Sequence, residues 1–226
     1  MPKAIKRRID KKTQVAGDLG ETVADLRNRL KKRQKTLVYA FLAACLIIIT
    51  VGSVFVYHRI IAGRAQELEY EGYKILTSAP NQKTPANELF NNALEKFNAS
   101  FAEKKNPIVL LYIASCDDGI DKYDEAIKPL KKIIDEYPDP KISSLAYYKM
   151  AIIYLNKGDV NNALKTFDTL IAVKDALLQD MALMESGRTL ELVGRTEEAK
   201  NKYNELINKF PSSPLVSDAK SRLGSQ

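Results

Sequence analysis

Three short segments of this chain superpose: Asp121 to Ala126 (DKYDEA), Gly158 to Ala163 (GDVNNA) and Gly194 to Ala199 (GRTEEA). Their alanines fall 37 and 36 residues apart. Each is followed at four residues by a large apolar group, Leu130, Phe167 or Tyr203, and at seven by Ile133, Leu170 or Leu206. Steps of four and three place those side chains on one face of a helix. A unit of this length cannot bury such a face alone, so copies must stack on their neighbours into an all-α solenoid.

The unit resembles the tetratricopeptide repeat, a 34-residue helical hairpin with a small residue in its first helix, Tyr near that helix's end, Gly-Asp at the turn, then Ala, a large apolar residue and a closing Pro. The middle unit carries the likeness best, through Tyr147, Met150, Ala151, Tyr154, Gly158, Ala163 and Phe167. Ala151 and Ala163 let the two helices approach, while Tyr154 and Phe167 fill the space between hairpins. The third unit keeps Gly187, Gly194, Ala199, Tyr203 and Pro211, but has Ser186 and Leu190 at a bulky and an aromatic position. The first keeps Ala114, Ala126 and the closing Pro138, but has Asp117 where Tyr is expected.

The resemblance implies three repeats over 107–212, with turns two or three residues longer than the family's. Ahead of them, 58–106 reads as a degenerate hairpin. Its first helix is marked by Ile61, Ala65, Leu68, Gly72, Ile75 and Leu76, its loop by Ser78 to Pro85, and its second helix by Leu89, Ala93, Phe97 and Phe101. Residues 213–226 read as a capping helix, with Ser213 as N-cap and Pro214 at the first helical position.

Leu37 to Tyr57 runs 21 residues without a charge. As a helix it spans about 31 Å, the hydrocarbon thickness of a bilayer. Twelve of its residues are Leu, Ile, Val or Phe, which together favour insertion by about 5 kcal/mol. Arg27, Arg29, Lys31, Lys32, Arg33 and Lys35 crowd its N-terminal flank, whereas the other flank offers only His58, Arg59 and Arg64 before Glu67, Glu69 and Glu71. That asymmetry predicts a single pass with residues 1–36 cytoplasmic. The apolar run is too long for a cleaved signal peptide. Leu42 to Cys45 has the form of a lipobox, but the run continues for a dozen residues beyond Cys45, where a lipoprotein turns polar. The anchor also holds Ala40 and Ala44, a spacing that lets a second membrane helix come close. Because the helical pattern runs on from Tyr57 to Leu76, the span is expected to continue as the stem of the first hairpin.

In the head, Met1 to Thr36 holds 12 Lys/Arg against 4 Asp/Glu, a charge of +8 that leaves the rest of the chain near −1. The body therefore lacks the basic face of a nucleic-acid binder. Residues 1–17 have no apolar periodicity and are expected to be disordered. Leu19, Val23, Leu26 and Leu30 mark a basic amphipathic helix. Its Arg27, Arg29, Lys31, Lys32, Arg33 and Lys35 are expected to lie against anionic headgroups, each worth about 1 kcal/mol. A cytoplasmic docking partner is the alternative left open.

No catalytic constellation is present, and the chain is read as a non-enzyme without cofactor or metal. The single histidine, His58, sits at the membrane boundary. Asp117, Asp118 and Asp121 with Gly119 have the look of a calcium loop but lack its closing Glu, so a solvated turn is expected. Cys45 and Cys116 are too far apart in environment to pair, and Cys116 reads as a small core residue.

What remains is a surface. In the repeat family, ligands lie on the concave face of the first helices. The matching positions are Leu111 and Ser115; Tyr148, Ile152 and Leu155; and Met181, Met184 and Arg188. Several of these also suit packing against the first hairpin or the cap. Repeats that clamp a terminal carboxylate carry Lys and Asn where Tyr148 and Ile152 stand, so that mode is disfavoured.

Basic head, uncleaved span and repeat body together resemble the bacterial YfgM-like family, inner-membrane ancillary subunits of the Sec translocon. The resemblance implies a periplasmic scaffold that binds protein or peptide partners in translocation or chaperone networks. A scaffold of an outer-membrane assembly or Tol-Pal-like complex is the alternative. For the head, a peptide of residues 1–36 is expected to float with anionic vesicles and not with zwitterionic ones.

Overall fold

The structure, a computed structural model, describes residues 23–29, 31–77 and 85–224. The expectations for residues 1–17, Leu19, Leu30 and the loop residues 78–84 lie outside the described residues. The chain divides into two units, Met1–Arg59 and Ile60–Gln226.

In the first unit, residues 23–29 are helical, with Val23 and Leu26 exposed. Helix α1, Gln34–Thr77, contains the whole charge-free stretch and runs without interruption. It is long and apolar enough to cross a membrane, and its most apolar window is not buried by the protein. The stretch's hydroxyls are satisfied within the helix: Thr50 Oγ1 donates to the Ile47 carbonyl and Ser53 Oγ to that of Thr50, both at 2.9 Å. This removes the cost of placing bare donors in an apolar medium.

In the second unit, the Ile60–Thr77 part of α1 packs on α2 (Ala86–Glu103). Three further hairpins follow: α3 (Pro107–Gly119) with α4 (Tyr123–Glu136), α5 (Pro140–Asn156) with α6 (Val160–Ala172), and α7 (Gln179–Leu192) with α8 (Thr196–Lys209). Helix α9, Val216–Gly224, closes the described chain. Two first helices begin as their sequences dictate. Asn106 accepts from the Ile108 N–H at 3.0 Å ahead of Pro107, and Asp139 accepts from the Lys141 N–H at 2.9 Å ahead of Pro140. Each pairs a capping oxygen with a proline whose missing N–H is not needed there.

Each hairpin closes on one contact, a small residue of the first helix against a large one of the second. Ala114 and Leu130 share one core cluster, and Ala151 and Phe167 share another. At Gly187 an added Cβ would fall 2.3 Å from the Tyr203 ring, and at Gly72 it would fall 2.9 Å from the Phe97 ring. The hairpin read as degenerate thus carries the same contact as the other three. Its likeness is hidden because Gly72 precedes Ala114 by 42 residues whereas Ala93 precedes Ala126 by 33.

The turns share a second device. Asp121, Gly158 and Gly194, each five residues before the repeat alanine, have φ of 59°, 81° and 76°. Glycine takes this left-handed conformation freely, while Asp121 is held in it with its carboxylate accepting from the Tyr123 hydroxyl at 2.7 Å.

One entry to a helix differs from expectation. Ser213 Oγ accepts from the Leu215 N–H at 3.2 Å, but this first turn is not regular helix, and α9 begins at Val216. In the third hairpin the residue at the N-cap, Leu178, makes no side-chain capping bond. Leu178 enters α7 with φ 64°, and Gln179 Nε2 donates instead to the carbonyls of Ile171 and Val173, at 2.7 and 3.0 Å, at the end of α6. Cys116 is fully buried, and burial pushes its thiol up to about 12, so it is an inert core residue.

Gly158→Ala meets open space, so its cost is the left-handed backbone alone, about 1–2 kcal/mol. Gly187→Ala must displace the Tyr203 ring and is expected to cost about 1–3 kcal/mol. Urea unfolding followed by circular dichroism measures both.

Candidate protein-binding face

The first helices α3 and α5 each leave one stripe uncovered at helical spacing, and α7 leaves one residue of it. Leu111 and Ser115 on α3, and Tyr148, Ile152 and Leu155 on α5, are half-buried, and Met181 on α7 is 37% exposed. Two more apolar residues share the stripe and were missed by the sequence reading: Ile108 and Leu145, both half-buried. They stand 37 and 36 residues apart from Leu145 and Met181 respectively, so extending the repeat register one turn back from Leu111 and Tyr148 would have found them.

These side chains have a second job. Tyr148, Ile152 and Leu155 pack on the cluster of Ala151, Phe167, Leu170 and Ala182, with the Tyr148 ring 5.9 Å from that of Phe167. Burial, with the Glu185 carboxylate adding to it, raises the Tyr148 hydroxyl above its ordinary value. Ser115 spends its hydroxyl on the Leu111 carbonyl at 2.9 Å. The stripe is thus anchored from beneath and apolar on its open side.

Met184 does not belong to this surface, and Arg188, half-buried, is engaged by α9. Met184 is 1% exposed, within a core cluster against which Leu215, Val216 and Leu223 also pack. Arg188 donates to Asp218 at 2.5 Å and to Glu185 at 2.9 Å. Both were placed by register with Leu111/Tyr148 and Ser115/Ile152, but α9 covers the third repeat and takes up what the earlier repeats leave open. The fastening continues from Arg222 to Asp218 at 3.3 Å and to Glu191 at 2.6 Å, and from Ser213 Oγ to Asp180 at 2.6 Å. The hydrogen bond from Arg188 holds the Asp218 carboxyl below its ordinary value. Beneath the chain of charges, burial and then Glu191 push the Tyr203 hydroxyl up to about 12.

The calcium-like aspartates are spent locally. Asp117 is 8% exposed, and burial raises its carboxyl. Asp118 accepts from Asn156 Nδ2 at 3.0 Å, and Asp121 serves Tyr123. Among the described residues no group of His, Cys, Asp and Glu is gathered that would hold a metal ion. In the first unit Arg27, Arg29, Lys31, Lys32, Arg33 and Lys35 are all exposed, with Arg29 2.9 Å from Asp25.

Stacked small-on-large hairpins with an apolar stripe on their first helices define a helical-repeat interaction protein. The chain belongs to the tetratricopeptide repeat-like domain family, whose match covers residues 32–220, and the repeat fold makes it a protein–protein interaction scaffold. It is 34% identical over 99 residues to a TPR repeat-containing protein of Methanocaldococcus jannaschii, a match of 42% of this chain and 30% of that protein's length. Among solved structures it is similar to MamA, with TM-score 0.52 and 19% identity over 70% of this chain and 86% of that one. It is also similar to a TPR repeats protein of Bacteroides fragilis, with TM-score 0.44 and 20% identity over 71% and 69% of the two chains.

Asp218's depressed carboxyl contributes stability that is complete above the ordinary value of 3.8 and is lost as pH falls through the folded value below it. The α9 amide resonances are therefore expected to shift and broaden on acidification below about pH 4. At neutral pH, Asp218→Asn is expected to speed tryptic cleavage after Lys220 several-fold with helix content unchanged.

Proposed function

We propose that this chain is a non-enzymatic, single-pass membrane scaffold whose repeat body binds a protein or peptide partner on the side of the bilayer opposite the basic head. In a bacterial cell that side is the periplasmic face of the inner membrane. The observation that carries the binding reading is the open apolar stripe of Leu111, Leu145, Tyr148, Ile152 and Leu155, of which Leu111, Tyr148, Ile152 and Leu155 pack on the core beneath. Pre-positioned side chains lose little entropy on binding, which favours a stripe of this kind as an anchor for apolar groups of a partner.

The membrane reading is supported by the charge-free stretch within α1, by the exposure of residues such as Ile48 and Ile49, each at 69%, and by the excess of Arg and Lys on the N-terminal flank. The chain's resemblance in layout to the YfgM-like family favours a partner in the translocation or periplasmic chaperone network. The head's exposed cations suit anionic headgroups, and Ala40 with Ala44 offers a face for a second membrane helix.

Capture from solubilised membranes tests this. The full chain is expected to enrich a translocon subunit or periplasmic chaperone over an anchor-only control. Tyr148→Ala is expected to weaken that capture by more than tenfold, the size of an anchor residue's loss, with circular dichroism unchanged. No enrichment would remove the scaffold reading, and enrichment of an outer-membrane assembly or Tol-Pal component would replace the translocon assignment.

A further inference from the structure

Within the second unit, the connector between α2 and α3 brings two lysines against the first residues of the unit. Lys104, Lys105 and Asn106 face Ala62, Ala65 and Gln66 across a hollow of about 490 Å³. The corner is a built one. Ser100, 1% exposed, donates through Oγ to the Ala65 carbonyl at 2.7 Å, which locks α2 onto α1 at this level. Asn106 caps α3 through Oδ1 and reaches Glu69, which also lines the hollow, through Nδ2 at 3.4 Å. Lys105 Nζ rests 4.4 Å above the Phe101 ring, a contact that leaves its charge unneutralised. Both lysines and Arg64 are exposed, as is Glu103 beside them. Among the described residues no carboxylate pairs with Lys104, Lys105 or Arg64.

We propose that this corner seats the phosphate of an anionic lipid headgroup, in the leaflet on the side of the repeat body. The proposal rests on the reading of Leu37 to Tyr57 as a membrane span. Ala62 follows Tyr57 by five residues, about 7.5 Å along a helix. The polar layer of a bilayer adds roughly 5–8 Å on each side of its hydrocarbon core, so the chain itself keeps the corner within headgroup reach. The chemistry matches an amphiphile. Lys104, Lys105 and Gln66 line the hollow with side chains that carry donors suited to a phosphodiester, and Ala62 and Ala65 give an apolar wall for the glycerol and upper acyl chain. This contact is separate from the basic head, which carries its cations on the other flank of the span.

The full chain in nanodiscs tests it, with hydrogen exchange of residues 100–108 as the readout. Phosphatidylglycerol is expected to slow exchange there several-fold relative to phosphatidylcholine. The double variant Lys104→Gln, Lys105→Gln, with unchanged circular dichroism, is expected to lose that difference. Equal exchange in the two lipids, or a difference that survives in the variant, overturns the site. Equal slowing by free glycerol phosphate added to the chain in detergent overturns the lipid assignment in favour of a soluble phosphate. Resistance to alkaline carbonate extraction is measured first on native membranes. A chain that is extracted refutes the membrane reading itself, and the lipid site with it.

Discussion

Everything in the repeat body depends on one contact, a residue without bulk in the first helix facing a large residue of the second. Gly72 on Phe97 and Gly187 on Tyr203 are the tightest cases, with no room for even a Cβ. Ala114 with Leu130, and Ala151 with Phe167, lie fully buried in shared core clusters. Close approach of the backbones is what lets a short hairpin bury a full aromatic ring, and a buried ring of that size supplies a large part of the area that holds one hairpin together. Repetition of the contact then produces a stack in which each hairpin relies on its neighbours.

That stacking also decides which side chains remain open. A first helix has one face for its own partner helix, one for the neighbouring hairpins, and one left over. On α3 and α5 the remainder is apolar and half-buried, which makes it a surface shaped by the core beneath it. On α7 the corresponding positions are consumed. Met184 is core, and Arg188 is the first link of a charge chain that fastens α9 through Asp218, Arg222 and Glu191. These pairs are only partly exposed and share their partners, which gives such a network more weight than isolated surface pairs have. The solenoid is thus open along its first two complete repeats and closed at the third.

Repeat spacing made the hairpins legible, because Ala126, Ala163 and Ala199 and the apolar residues four and seven places on are facts of the chain. The first hairpin was only half legible. Its long connector breaks the spacing on one helix and not the other, and no single-period search keeps both Gly72 and Ala93 in register. Ile108 and Leu145 were available to the same register and were overlooked. Met184 and Arg188 were assigned to the open face because register alone puts them beside Tyr148 and Ile152. Register carries no information about what packs over a position.

By itself the sequence determined that the body is all-helical, that it repeats, that the chain contains a charge-free helix of bilayer length, and that its positive charge is gathered at one end. Each of these follows from local order: periodicity, run length and charge count along the chain. Tertiary structure alone decided that the first hairpin is a full member of the stack, that α9 closes the third repeat, and that Lys104 and Lys105 meet Ala62 and Gln66. Those outcomes depend on which helices lie side by side after loops of unequal length have closed, and packing between residues distant in sequence is set by space, which a linear pattern does not encode.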